Sequence, residues 1–136
     1  MADWNAVIGY MRSNYKVAEE YRDGLGEVDG LRLLFDVGNL RSQLVYLWHQ
    51  TLQQGEEHWV KISSPFAKAS ETDLHSVMRS AGEMVCGGVA AVGDLLVVSH
   101  TAPLANLDIN ELERPLMLVL HSADRLEQEF GSGDTF

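Results

Sequence analysis

The chain predicts an α+β fold, with an antiparallel sheet packed against helices. Three observations carry this. Apolar residues recur at helical spacing near both ends and once in the middle. Between these stretches lie runs that alternate apolar and polar residues. The runs are separated by Gly-Asn, Gln-Gln-Gly and Gly-Asp turns. The resulting order is α-β-β-β-α-β-β-α, with five strands in a single domain spanning residues 1–136.

The first helix is expected over residues 3–21. Trp4, Val7, Ile8, Met11, Tyr15 and Ala18 fall on one stripe, Asp3 caps the start, and Gly24 and Gly26 lie beyond the end. In residues 31–37, Leu31, Leu33, Phe35 and Val37 alternate and share one strand face. Gly38 and Asn39 supply a turn into a second strand over residues 41–50, giving a hairpin. A turn centred on Gly55 leads to a third strand over residues 58–63. Ser64 and Pro65 are expected to end the sheet there, because proline cannot donate to a ladder.

Leu74, Val77, Met78, Ala81 and Val85 predict a second helix that crosses between the two strand groups. Its caps would be Ser70 with Asp73, or Thr72, and Gly87-Gly88 would close it. Two apolar runs around Gly93-Asp94 form a tight hairpin of type II′ or I′. The last helix starts at a capping box, Asp108 with Glu111. Ile109, Leu112, Leu116, Val119, Ala123, Leu126 and Phe130 form its apolar stripe. Glu111, Glu113, Asp124, Glu127, Gln128 and Glu129 lie on its polar side. Pro115 should kink this helix or restart it at Glu113. Residues 131–136 read as a frayed tail.

Composition narrows the function classes. The 136 residues are 46% hydrophobic and 22% charged, enough for a core without metal or disulfide. Twenty acids against ten bases give a net charge of −10. Phosphate backbones and anionic membrane surfaces repel such a chain, whereas a basic or amphipathic protein partner is attracted. The lone Cys86 excludes an internal disulfide. The first residues lack a basic segment followed by an apolar one, so no signal peptide is expected. The apolar stretch 84–98 is too short and too interrupted to span a bilayer. The expectation is a soluble, cytoplasmic protein that binds neither nucleic acid nor membrane.

No motif carries recognisable chemistry. The histidines His49, His58, His75, His100 and His121 lack metal-ligand spacing, although a hairpin would bring His49 near His58. Cys86 and His100 sit toward opposite ends of one hairpin. The apolar context of Cys86 raises a thiol pKa, which favours a structural cysteine over a nucleophile. Gly24-x-Gly26 and Gly87-Gly88 are no phosphate loop, because no Gly-Lys-Ser/Thr follows. The acids fall on helix polar faces and in turns. The expectation is therefore no enzyme, no metal and no cofactor.

The second strand is the exception to a bland reading. Leu44, Tyr46 and Trp48 share one face, and Val45 and Leu47 share the other with Gln43 and His49. Both faces are thus partly apolar, which means burial within the chain, a dimer interface, or a surface that receives a partner. Tyr46, Trp48 and Trp59 are the candidate partner-binding residues. Burying about 300 Å2 of apolar surface there would supply roughly 7 kcal/mol before ordering costs.

The element order resembles the type III secretion chaperone-like fold, which includes the Tir-chaperone class and the YbjN-like proteins. Residues 31–47 look like that group's first hairpin. Residues 106–113, followed by Ala123-Asp-Arg-Leu-Glu127, look like its closing helix. Size and acidity also match. The resemblance implies a non-enzymatic homodimer without cofactor. Chaperones of this group hold unfolded stretches of secreted proteins on apolar patches, partly by strand addition at a sheet edge. The expected function is a protein-binding module, chaperone-like or regulatory, that holds a partner segment on an apolar sheet surface. The rivals are a small enzyme built around Cys86 or the histidines, and a regulator that binds a small ligand.

Overall fold

A computed structural model describes residues 3–131, so the expected frayed tail lies, apart from Gly131, outside the described residues. The fold is mixed α+β, with three helices and one six-stranded antiparallel sheet of order β1-β2-β3-β4-β6-β5. The elements are α1 (Trp4–Asn14), β1 (Val17–Arg22), β2 (Val28–Gly38), β3 (Arg41–Leu52) and β4 (Glu57–Lys68). They continue with α2 (Leu74–Ala81), β5 (Gly88–Val92), β6 (Leu95–Pro103) and α3 (Ile109–Phe130).

The sixth strand corrects the sequence reading. The first helix ends at Asn14, seven residues before the expected end, and the chain turns extended at Tyr15. Residues 17–22 instead pair antiparallel with β2. Tyr15 and Ala18 continued the helical stripe by coincidence, and pairing with β2 outweighs that local preference. Asp23 builds the turn into β2 by accepting from the backbone N–H groups of Leu25 and Glu27. Arg12 reaches from α1 to Glu20 on β1 with two bonds of 2.6 and 2.7 Å.

The second correction is at Pro65, which does not end the sheet. β4 continues to Lys68 and pairs with β6 across the proline, with a register shift between Pro65 and Ala67. Continuing the register of Tyr46 opposite Ser63 puts Pro65 opposite Leu44. Proline has no N–H to give there, and side chains take over. Ser64 Oγ donates to the Leu44 carbonyl at 2.5 Å. The buried Gln43 amide donates to Ser64 Oγ and to the Pro65 carbonyl at 2.9 and 2.8 Å.

All three helices bury residues on the same face of the sheet. Val7, Ile8 and Met11 of α1, Val77 of α2, and Leu112, Leu116, Val119, Ala123 and Leu126 of α3 form one core. Their sheet partners are Leu31, Leu33, Val45, Leu47, Val60, Ile62 and Val98. Asp3 caps α1 by accepting from the Ala6 N–H at 2.8 Å, and Asp73 caps α2. Thus Asp73 is the cap of the second helix, and Ser70 bonds Asp94 in the β5–β6 turn instead. That turn has Gly93 at φ +60° while Asp94 keeps a negative φ, which is the type II′ choice.

α2 is shorter than its pattern implied. It stops at Gly82 rather than at Gly87-Gly88, so Val85 falls in the connection and is 92% exposed. Met78 is 70% exposed. The helix buries Val77 alone, although its sequence stripe is wider.

α3 has the expected capping box but runs unbroken through Pro115. The proline removes one donor in the second turn. Leu112 and Leu116, both buried, keep the two sides of that turn pinned to the sheet. Its polar side also needs revision. Glu127 is only 1% exposed and accepts from Arg41 at 3.1 Å, while Asp124 accepts from the same guanidinium at 2.8 Å. Glu113 accepts from the hydroxyls of Tyr10 and Tyr15, each at 2.5 Å, and so ties α3 to α1 and to the start of β1.

Candidate functional site: the helix-free face of the sheet

With the helices on one face, the other face is covered by no element among the described residues. Alternation along the strands decides what it presents. Trp48 stands opposite Gly30 on β2 and Lys61 on β4, Tyr46 opposite Arg32 and Ser63, and Gln50 opposite Trp59. Thr101 and Pro103 of β6 stand opposite Lys61 and Trp59. Tyr46, Trp48 and Trp59 therefore all lie on this face, and none belongs to the core cluster. The two-faced character of β3 resolves into a core side and an uncovered side.

The three residues are not equally close. Tyr46 and Trp48 stack at 6.1 Å with ring planes 4° apart. Tyr21 of β1 joins them, 5.1 Å from Trp48 and 6.4 Å from Tyr46. Trp59 lies farther along, its indole N–H donating to Glu57 at 2.7 Å, and borders a smaller recess with Gln50, Leu52 and Thr101. Tyr21 was missed from sequence because residues 17–21 were read as helix. The signal for it was the Asp23-Gly-Leu-Gly26 turn between two strand-like runs.

Beside the stack the face dips into a groove of about 370 Å3, lined among others by Tyr46, Trp48, Pro65, Val92, Leu95 and Val97. Burial and the nearby Tyr46 push the Tyr21 hydroxyl pKa up, so this ring is neutral and apolar at physiological pH. The groove wall contributed by β6 came from plain alternation: Leu95 and Val97 face the groove, Leu96 and Val98 the core.

Two other clusters carry titratable groups. At one end of the sheet, Trp4 stacks on His49 at 5.3 Å, and His49 on His58 at 5.1 Å. His49 Nε2 lies 2.9 Å from His58 Nδ1, so the hairpin does bring these histidines together. Burial, and next the neighbouring His58, hold the His49 pKa down. They border a cavity of about 610 Å3 with Asp3, Glu27, Glu56 and Glu57. Among the described residues, no group of three or more His, Cys, Asp or Glu side chains is arranged to hold a metal ion.

At the other cluster, Cys86 Sγ lies 3.4 Å from His100 Nδ1. The two sit at the same end of the hairpin, not at opposite ends as expected from the sequence, because Gly88 pairs with Ser99. The thiol is half-buried, and burial pushes its pKa up, away from a thiolate nucleophile. No helix of the described residues is long and apolar enough to cross a membrane. No family model matches the chain, and no curated protein matches it.

Proposed function

We propose that this protein is a non-enzymatic, chaperone-like or regulatory binding module of the type III secretion chaperone-like kind. It acts as a homodimer in the cytoplasm and holds a partner segment on the helix-free sheet face. The observation that carries this is the Tyr21–Tyr46–Trp48 stack beside an apolar groove on a sheet face that no helix of the described residues covers. Aromatic rings fixed on a rigid sheet offer a large apolar contact at small entropic cost, which is what a binding surface needs.

The test is Trp48→Ala. It is expected to keep the wild-type far-ultraviolet circular dichroism and unfolding cooperativity, and to weaken binding of a permanently unfolded probe such as reduced, carboxymethylated α-lactalbumin. Unchanged binding by this variant sinks the reading. Sedimentation equilibrium tests the dimer separately.

A second reading is favoured by the 610 Å3 cavity beside His49 and His58: a regulator that binds a small ligand there. The enzyme reading leans on the Cys86–His100 distance. Fast alkylation of native Cys86 near neutral pH would support it, and inertness until denaturation would end it.

A further inference from the structure

The groove on the helix-free face has one charged lining residue, Lys61. It sits in the middle of β4, between Trp48 on β3 and Thr101 on β6. Its side chain is half-buried and makes no ion pair or hydrogen bond among the described residues. Acids outnumber bases two to one in this chain, 20 to 10, yet none lines this groove. Arg32 and Lys68, which the register puts on the same face, are answered within the chain by Glu19 at 3.2 Å and Glu71 at 4.0 Å. Among the described residues, Lys61 has no counter-charge on this face.

Covering the Lys61 ammonium with apolar surface strips its water, and this costs free energy unless the cover supplies an acceptor. A purely apolar occupant therefore fits this groove poorly. So does a second copy of the chain, since a two-fold contact centred on the groove would bring one Lys61 toward the other. The face runs from Tyr21 on β1 to Val92 on β5, six strands or about 24 Å at a strand spacing of ~4.8 Å. That is the length of about seven extended residues, and longer than a small organic acid.

The geometry points to a peptide segment of a partner protein that carries apolar or aromatic side chains and, among them, a carboxylate that meets Lys61. This rests on the binding-surface reading above and names the partner's chemistry. The chain as a whole favours basic or amphipathic partners, and the groove reverses that preference locally.

The experiment titrates the full chain with two blocked peptides of about eight residues, both of Leu, Phe and Ser with a single central Asp in one and Asn in the other, followed by tryptophan fluorescence. The Asp peptide is expected to bind about fivefold tighter than the Asn peptide, with the advantage fading at high salt. Lys61→Met and Lys61→Gln should erase the difference while retaining binding of the Asn peptide. Trp48→Ala should weaken both. Equal binding of the two peptides by the wild type, or a preference that survives both Lys61 variants, overturns the charge assignment and leaves the surface reading standing. Saturation by neither peptide overturns the surface reading as well. Phenylbutyrate binding as tightly as the Asp peptide moves the site to small acids and overturns the peptide assignment.

Discussion

Trp48 fills the space above Gly30 that any other residue would need for its side chain. A Cβ at Gly30 would stand 2.2 Å from Cζ3 and 2.3 Å from Cε3 of the indole on the adjacent strand. The ring that forms the floor of the candidate site is thus held in place by a missing methyl group.

Gly30→Ala is expected to push the indole off its seat and to cost about 1 kcal/mol in urea unfolding. The same substitution in a Trp48→Ala background should be neutral or stabilising, because the obstacle is gone and alanine restricts the unfolded chain. A double-mutant cycle measures the difference. Additive costs would show that the two residues do not share this space.

Glu113 makes stability depend on acid. The hydroxyl of Tyr10 and then that of Tyr15 donate to it and hold its carboxyl below the ordinary value of about 4.3. A depressed folded pKa gives stability that is complete above the unfolded value and is lost as pH falls through the folded one. The opposite limb belongs to Tyr15, whose pKa is raised by burial and next by Glu113. The stability it contributes is complete below the ordinary tyrosine value of about 10 and is lost as pH rises through the folded pKa. Glu113→Gln should flatten the acid limb of a plot of urea midpoint against pH below about 5. An unchanged acid limb would locate the acid sensitivity elsewhere.

The Arg41 guanidinium binds Asp124 and the buried Glu127 together. Glu127→Ala should destabilise by about 3 kcal/mol, since it also leaves part of a charge network in low dielectric. Asp124 is more exposed, 15% against 0% for the Glu127 side chain, so Asp124→Ala should cost less. Chemical denaturation of both variants ranks them, and the reverse order would contradict this account.

Leu40 is fully exposed and held at φ +61°, next to Asn39 at φ +54°. Two left-handed residues form the β2–β3 turn, and a leucine there is strained. Leu40→Gly should raise stability by about 0.5 kcal/mol, read as an upward shift in the melting midpoint. A fall in the midpoint would mean that glycine's extra freedom in the unfolded chain outweighs the relieved strain.

What the sequence made legible follows from how local each signal is. The Gly93-Asp94 turn, the caps Asp3 and Asp108, and the stripe of α3 are set by neighbours in the chain, and each appears where the pattern put it. The β2–β3 turn falls one residue later than its pattern, on Asn39 and Leu40. β1 was hidden because its residues happened to extend a helical stripe, and pairing with residues 28–33 outweighs that stripe. Continuation of β4 through Pro65 depends on Gln43 and Ser64, whose bonds no local pattern displays. The buried role of Glu127 required knowing that Arg41, 86 positions away, lies beneath it.

The candidate site shows the same division. Alternation on β3 was enough to put Tyr46 and Trp48 on one face. Trp59 was also named from sequence, but the register between strands was needed to place it on the same face, to add Tyr21 and to set Lys61 among apolar neighbours. Which face the helices leave bare is a property of the whole topology, and no window of sequence contains it.

The repair at Pro65 has a consequence for how this chain can vary. Gln43 is buried on the core side, where an apolar residue would pack as well, and its amide is used to serve Ser64 and the Pro65 carbonyl. Positions 43, 64 and 65 therefore form one hydrogen-bonded unit. In a descendant that replaces the proline with a residue bearing an N–H, the glutamine loses its reason to be polar and is free to drift to leucine or methionine. Where the proline stays, the glutamine and the serine should stay with it.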